Sequence, residues 1–193
     1  MERPVEPPYW VIEAARVAAT GSPCQKSKRG AAVYNLNEVD DILEGRARDR
    51  AAFFGVPYRE TVCQQDSIVA VAHNAPPAGW TCTGSEACRK DCGKLCRHAE
   101  ERAIHTAGRI TSFERLALVH VKVVDGQVVA GGPPSCWQCS RLVADCGIRG
   151  IWLYELVSLG ELYTSPPGKG GRWRFYEAKE FHRATLAHEG IEL

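Results

Sequence analysis

The 193-residue sequence predicts an α/β fold in which a central mixed sheet carries helices on both of its faces. Short apolar runs at 29–34, 67–74 and 148–154 have the length and composition of buried strands. Segments 98–107 and 135–147 place apolar residues at helical spacing. The strand, helix, strand order in the second half of the chain is typical of a βαβ unit, so the sequence indicates three layers.

Further elements extend this plan at both ends of the chain. The apolar residues of segment 9–19 form a helical stripe, which predicts an amphipathic opening helix. Asp125-Gly126 is a strong hairpin signal between predicted strands at 115–124 and 127–130. Segment 177–187 predicts a closing amphipathic helix.

We expect one domain over residues 1–193, with a core at about 9–155, an insertion at about 35–66 and a C-terminal extension from about 156. Within the insertion, the charged segment 40–54 predicts one helix that ends near Gly55. Its arginines could contact a phosphate, although such charge runs are commonly solvated faces. Segments 75–95 and 166–171 carry the glycines and prolines of loops.

Composition limits the partners. A net charge of +1 without a basic stripe argues against binding a nucleic-acid polymer. No apolar run has the roughly 18 residues of a membrane span, and the polar N-terminus lacks a signal peptide, so we expect a cytoplasmic protein with no membrane partner. Nine cysteines in such a protein indicate metal binding and free thiols more than disulfides.

Two short motifs predict a catalytic zinc site. The nitrogen of His98 and the thiolates of Cys136 and Cys139 would give three ligands, which leaves the fourth tetrahedral position open. Glu100 is placed to hold water there and to move its proton. Ser135 should cap the following helix, which would put both cysteines in a first turn that favours thiolates.

Each of these residues has another interpretation when it is taken alone. His98 could cap a helix, Glu100 could be a solvated charge, and the Cys-x-x-Cys pair could be buried or redox-active. The joint pattern, with a helix after each half, favours the zinc interpretation.

Three segments resemble the cytidine and deoxycytidylate (dCMP) deaminase superfamily. They are residues 22–33, which contain Ser-Pro-Cys and Gly-Ala-Ala-Val, residues 73–79, His-Asn-Ala-Pro-Pro-Ala-Gly, and the two zinc motifs. The sequence departs from the pattern at Ser135, at Ala75 and in the long insertion. The resemblance implies a cytidine-deaminase-like three-layer fold, a zinc cofactor, and hydrolysis of a cytosine nucleotide, dCMP to dUMP with release of ammonia.

The resemblance also implies substrate contacts. Asn74 corresponds to the position that binds the sugar, and the backbone around Ala99 to the one that reads the pyrimidine edge. By their position, Lys26, Lys28 and Arg29 are candidates for binding a phosphate. We therefore expect a small-molecule nucleotide substrate, and we expect a homo-oligomer.

A group of cysteines remains outside these motifs, and the resemblance implies a second, structural zinc held in part at the positions of Cys24 and Cys82. The candidate ligands are Cys24, Cys82, Cys88, Cys92 and Cys96. A closed zinc site would order a glycine-rich loop. Alternatively, these are reduced cysteines that behave as small hydrophobic residues.

Two other functions remain open. The chain could deaminate another nucleobase, a nucleoside, or a base in single-stranded nucleic acid, with Trp80 and Trp137 available for stacking. It could also be an inactive zinc-bound interaction domain, although the presence of Glu100 argues against this.

Overall fold

The computed structural model of the chain describes residues 6–53, 55, 59–88, 96–108, 115–132, 134, 136–156 and 171–191. In chain order, its elements are α1 (Tyr9–Thr20), β1 (Lys28–Asn35), α2 (Leu36–Leu43), α3 (Arg46–Phe53), α4 (Glu60–Asp66), β2 (Ile68–His73), α5 (Ala99–Ala107), β3 (Leu116–Val124), β4 (Gln127–Val129), α6 (Trp137–Asp145), β5 (Gly150–Leu156), β6 (Gly171–Glu177) and α7 (Ala178–His188). The predicted strands are all present, with ends shifted by one or two residues.

The strands form one mixed sheet in the order β2-β1-β3-β5-β6, and β4 pairs with the end of β3. β1 is antiparallel to both β2 and β3, whereas β3 and β5 are parallel. Helix α6 connects these two parallel strands, as the predicted βαβ unit requires. β6 then pairs antiparallel with β5.

Helices cover both faces of the sheet. On one face α1 packs its buried residues against β1 and β3, and on the other α5, α6 and α7 share a second apolar cluster with the sheet. A Cβ on Gly30 would lie 2.0 Å from the carbonyl oxygen of Ala15, so α1 can approach β1 this closely only over a glycine. The predicted α/β fold with helices on both faces is confirmed.

Alternation along the strands decides which side chains reach which layer. In β1, Ala31 packs in the cluster of α5, α6 and α7, and Ala32 packs in the cluster of α1. Because successive strand residues point to opposite faces, Arg29 belongs to the face of Ala31 and Lys28 to the face of α1. The same alternation puts His120 of β3 on the α5 side of the sheet, since Leu118 packs there.

The insertion differs from its prediction. The single helix predicted over 40–54 is wrong, since α2 and α3 are separate helices divided at Gly45, which has a φ of +77°. A left-handed residue ends a helix readily when it is glycine. Helix α2 also begins earlier than predicted, because the Asn35 side chain accepts hydrogen bonds from the N–H groups of Asn37 and Glu38. Helix α4 was not predicted.

Ser135 is not the N-cap of α6, and this prediction is wrong. The capping residue is Cys136, whose Sγ accepts a hydrogen bond from the N–H of Cys139 at 3.4 Å. A sulfur at this position can satisfy the first-turn donor that a serine hydroxyl would otherwise take. Ser135 itself lies outside the described residues. The predicted end of the helix is confirmed, because Gly147 follows it with a φ of +72°.

The C-terminal extension contributes to the sheet. Segment 171–177 was not predicted as a strand, yet it forms β6, and α7 confirms the predicted closing helix within one residue. The predicted loop at 166–170 lies outside the described residues. In segment 75–88, which belongs to the predicted loop, Ala75 forms an isolated bridge with Arg97. Among the helices that the structure describes, none combines the length and the apolar character needed to cross a membrane.

Candidate active site

The three predicted zinc ligands meet at the N-termini of two helices. His98 is the N-cap residue of α5, Cys136 is the N-cap residue of α6, and Cys139 lies in the first turn of α6. Their ligand atoms all lie within 4.8 Å of one another, and Nδ1 of His98 is 3.3 Å from Sγ of Cys139. Within the described part of the chain, no other group of three His, Cys, Asp or Glu side chains comes together in this way.

The donor set fits zinc. One imidazole and two thiols are the borderline-soft ligands that zinc takes in tetrahedral sites. The hydrogen bond from Cys139, together with the neighbouring His98, outweighs burial and lowers the pKa of Cys136 to about 5. The hydrogen bond with Cys136 raises the pKa of His98 to about 9, against the effect of burial. The same pairing with Cys136 raises the pKa of Cys139.

Glu100 lies in the first turn of α5, two residues from His98, and its side chain is only 8% exposed. Burial by itself would raise the pKa of Glu100, but attraction to His120 and His98 outweighs it, and the pKa lies below its ordinary value. The carboxylate is therefore ionised at neutral pH and can accept a proton.

His120 was missed by sequence reasoning. Its Nδ1 lies 3.6 Å from Oε1 of Glu100, and its Nε2 is buried without a hydrogen-bond partner within the described residues. Burial lowers the pKa of His120 to about 4 against the attraction of Glu100, which leaves the imidazole neutral at neutral pH, so that the attraction holding Glu100 ionised there comes from His98. The available signal was the position of His120 in a strand whose other residues are apolar except for Lys122, on the face that alternation turns toward α5.

A cavity of about 300 Å³ opens onto these groups. Its lining combines the predicted metal and acid–base residues with polar and basic side chains from β1, β3 and the segments beside them. The lining residues that matter for chemistry are His98, Glu100, Cys136, His120, Asn74, Lys26, Arg29 and Lys122.

Asn74 lines the cavity, but its amide is already engaged. Oδ1 accepts hydrogen bonds from the N–H of Arg29 at 2.9 Å and from the hydroxyl of Ser22 at 2.8 Å, and Nδ2 donates to the carbonyl of Ser27 at 2.8 Å. Asn74 therefore holds the segment that leads into β1 against the cavity. Ala99, the other residue that the resemblance assigned to the substrate, is fully buried at the start of α5.

The predicted phosphate-binding cations divide between the two faces of the sheet. Lys26 and Arg29 line the cavity. Lys28 does not, because it follows the alternation to the other face, where its Nζ donates to the carbonyl of Thr20 at 3.3 Å. Lys122 of β3 lines the cavity instead, although it was not predicted.

Four of the remaining cysteines lie together beside the cavity. Cys24, Cys82 and Cys96 are buried against one another, with Cys88 half-buried next to them. The Sγ atoms of Cys82 and Cys88 are 3.6 Å apart. A hydrogen bond from the N–H of Gln25 is the main cause that lowers the pKa of Cys82 to about 7. Cys92, the fifth predicted ligand, lies outside the described residues.

The two tryptophans considered for base stacking lie away from the cavity lining. Trp80 is 63% exposed, and Trp137, the first residue of α6, is 39% exposed. Arg141 stacks over the ring of Trp137, with its guanidinium carbon 5.2 Å from the ring centroid.

No protein-family model matches the sequence, and no curated protein matches it. Among solved structures, the chain is similar to the apo crystal structure of a dCMP deaminase from the cyanophage S-TIM5, with 19% identity, a TM-score of 0.41, and coverage of 73% of this chain and 76% of that one. It is also similar to a cytidine deaminase from Burkholderia pseudomallei, with 16% identity, a TM-score of 0.47, and coverage of 91% and 96%.

Proposed function

We propose that this protein is a zinc-dependent hydrolase that deaminates a cytosine nucleotide, with dCMP as the first candidate. The observation that carries the proposal is that His98, Cys136 and the carboxylate of Glu100 line one cavity of about 300 Å³, with Cys139 beside them. Three ligands of this kind with one position left open are typical of catalytic zinc sites.

Zinc held by His98, Cys136 and Cys139 would supply Lewis acidity that makes a water molecule a nucleophile near neutral pH. Glu100 would accept the proton of that water, because its carboxylate is ionised and lies in the same cavity. It would then deliver protons to N3 of the cytosine ring and to the leaving amine. A C–O bond forms at C4, the C–N bond breaks, and ammonia leaves.

Basic residues on the cavity lining support a nucleotide over a free base. Lys26, Arg29 and Lys122 bring three basic side chains to the lining, and Glu100 brings the single carboxylate among the lining residues that the structure describes. Charge-assisted hydrogen bonds from such groups recognise phosphate oxygens.

Ammonia release from a panel of cytosine, adenine and guanine bases, nucleosides and nucleotides tests the proposal. We expect the highest kcat/KM with a cytosine nucleotide, loss of turnover after treatment with a chelator, and recovery when zinc is added. A higher kcat/KM with another base would support the alternative deaminase function. A zinc-loaded protein without turnover on any member of the panel would support the inactive interaction domain.

We also propose that Cys24, Cys82, Cys88 and Cys96 belong to a second, structural zinc site. Burial of three of these thiols in one cluster and the lowered pKa of Cys82 support it, since thiolates are the zinc-binding form. The sulfurs would have to move closer together to bind the metal, because no three of them meet at ligand distance in the described residues. The ratio of zinc to protein decides between this site and reduced thiols.

A further inference from the structure

Arg29 and Lys122 are direct partners across the antiparallel pair of β1 and β3. They point to the same face of the sheet, and both line the cavity. Like charges opposite each other on neighbouring strands destabilise a sheet, because their Cβ atoms are only about 5 Å apart. Without an anion between the two side chains, a pair of this kind is unfavourable.

The surroundings relieve this repulsion only in part. Within the described residues, neither the guanidinium of Arg29 nor the ammonium of Lys122 makes a direct hydrogen bond or ion pair, and Lys26 adds a third cation to the same lining. The carboxylate of Glu100 attracts Arg29, which helps to lower the pKa of Glu100, but its 3.6 Å neighbour is His120. Asn74 holds the N–H of Arg29 at 2.9 Å and so fixes the backbone from which the guanidinium extends.

We infer that the cross-strand pair Arg29–Lys122 binds the phosphate of the substrate, and that Lys122 determines the preference for nucleotides over neutral nucleosides. The inference rests on the proposed deaminase function and extends it. A planar guanidinium can bind two phosphate oxygens at once, and an ammonium adds a point charge. A phosphate dianion bound between the two side chains would attract both of them and so offset their repulsion.

Three variants test the role of Lys122. Lys122→Met removes the charge and keeps the length of the side chain, Lys122→Arg keeps the charge, and Lys28→Met is the matched control from the opposite face of the sheet. We expect the ratio of kcat/KM for dCMP to kcat/KM for deoxycytidine to fall at least about tenfold in Lys122→Met, as the loss of one charge-assisted hydrogen bond predicts. Lys122→Arg should recover most of the ratio, and Lys28→Met should match the wild type.

Thermal unfolding gives a readout that needs no turnover. Without ligand, Lys122→Met should unfold about 0.5–4 °C above the wild type, because it removes a like-charge pair. Adding dUMP should raise the Tm of the wild type and of Lys122→Arg more than that of Lys122→Met. Deoxyuridine should raise the Tm of all three proteins by similar amounts.

The two measurements separate this inference from the proposed function. If the panel shows no deamination but dUMP stabilises the wild type and not Lys122→Met, the function fails and the phosphate site stands. If the dCMP to deoxycytidine ratio is the same in the wild type and in Lys122→Met, the inference is wrong and deamination stands. Equal stabilisation by inorganic phosphate and by dUMP would indicate a site for a free anion and would overturn the assignment to the nucleotide.

Discussion

Two thiol-rich groups lie beside the same cavity and are built in different ways. His98, Cys136 and Cys139 form the helix-end cluster, in which each ligand is fixed by the first turn of a helix that packs on the sheet. Cys24, Cys82, Cys88 and Cys96 form the loop cluster, which lies outside the named helices and strands, although Cys88 itself is in a helical segment at 86–88.

The difference concerns the groups around the sulfurs. The helix-end cluster includes a nitrogen ligand and has Glu100 within two residues of His98, so it combines a metal site with an acid–base group. The loop cluster offers sulfur alone. A metal whose ligands are all sulfur atoms is typical of closed structural sites. A three-ligand site beside a carboxylate is typical of catalysis. We therefore expect the helix-end cluster to control turnover and the loop cluster to control stability.

Removing a ligand of the helix-end cluster should have the largest effect. Cys139→Ala should lose the zinc of that cluster and lower the rate by more than about 100-fold. Losing a residue that only supports a metal ligand costs up to about 100-fold, so losing a ligand should cost more. Atomic emission and ammonia release measure the two losses. Cys146→Ala, at the end of the same helix, is the control and should retain zinc and activity. A fully zinc-loaded Cys139→Ala protein would contradict the ligand set.

Glu100→Gln should separate chemistry from metal binding. We expect a rate that is lower by about 100- to 10,000-fold, the usual contribution of a general acid–base group, with zinc content unchanged. Glu101→Gln is the matched control, because Glu101 lies next in the chain and pairs with the exposed Arg97. Near-normal turnover by Glu100→Gln on any substrate of the wild type would rule out the proposed role.

The sheet and the helix-end cluster could be predicted from the sequence because both depend on short-range patterns. Apolar runs, the Asp125-Gly126 turn and the spacing of the zinc motifs are local signals, and each corresponds to a described element. The misses are of two kinds. The insertion is a polar segment whose helices are divided by one glycine, and β6 alternates charged and aromatic residues, a weak signal for an edge strand.

The cavity lining was harder to predict, since it depends on which strands are neighbours. Counting cations near one motif favoured Lys28 and Arg29 equally, although adjacent strand residues cannot share a face. His120 and Lys122 became visible only when β3 was found to pair with β1. No local sequence pattern in segment 115–124 indicates that β1 is the neighbouring strand.

The loop cluster should affect metal content and stability more than turnover. If it binds zinc, the wild type should contain two zinc ions per chain and Cys82→Ser one. The free energy of unfolding of Cys82→Ser should be lower than that of the wild type by about 2.7 kcal/mol when the free zinc concentration is 100 times the dissociation constant of the wild-type loop cluster for zinc. Chemical denaturation and metal analysis measure this, and Cys63→Ser is the control. One zinc per wild-type chain would eliminate the structural site.

The smallest expected effect is the acid sensitivity that His120 adds to the stability of the protein. Burial lowers the pKa of His120 from an ordinary value of about 6.5 to about 4, so the unfolded chain binds a proton between these values and the folded chain does not. Stability from the neutral imidazole is therefore present above pH 6.5 and is lost as the pH falls toward 4. Linkage gives a loss of about 2 kcal/mol between pH 7 and pH 5.

The free energy of unfolding of zinc-loaded His120→Gln should thus fall less steeply over this range, whereas His188→Gln, on the exposed end of α7, should follow the wild type. Because the zinc ligands are the same in all three proteins, the difference between the slopes isolates His120, and equal slopes in the wild type and His120→Gln would show that this histidine does not carry the acid sensitivity.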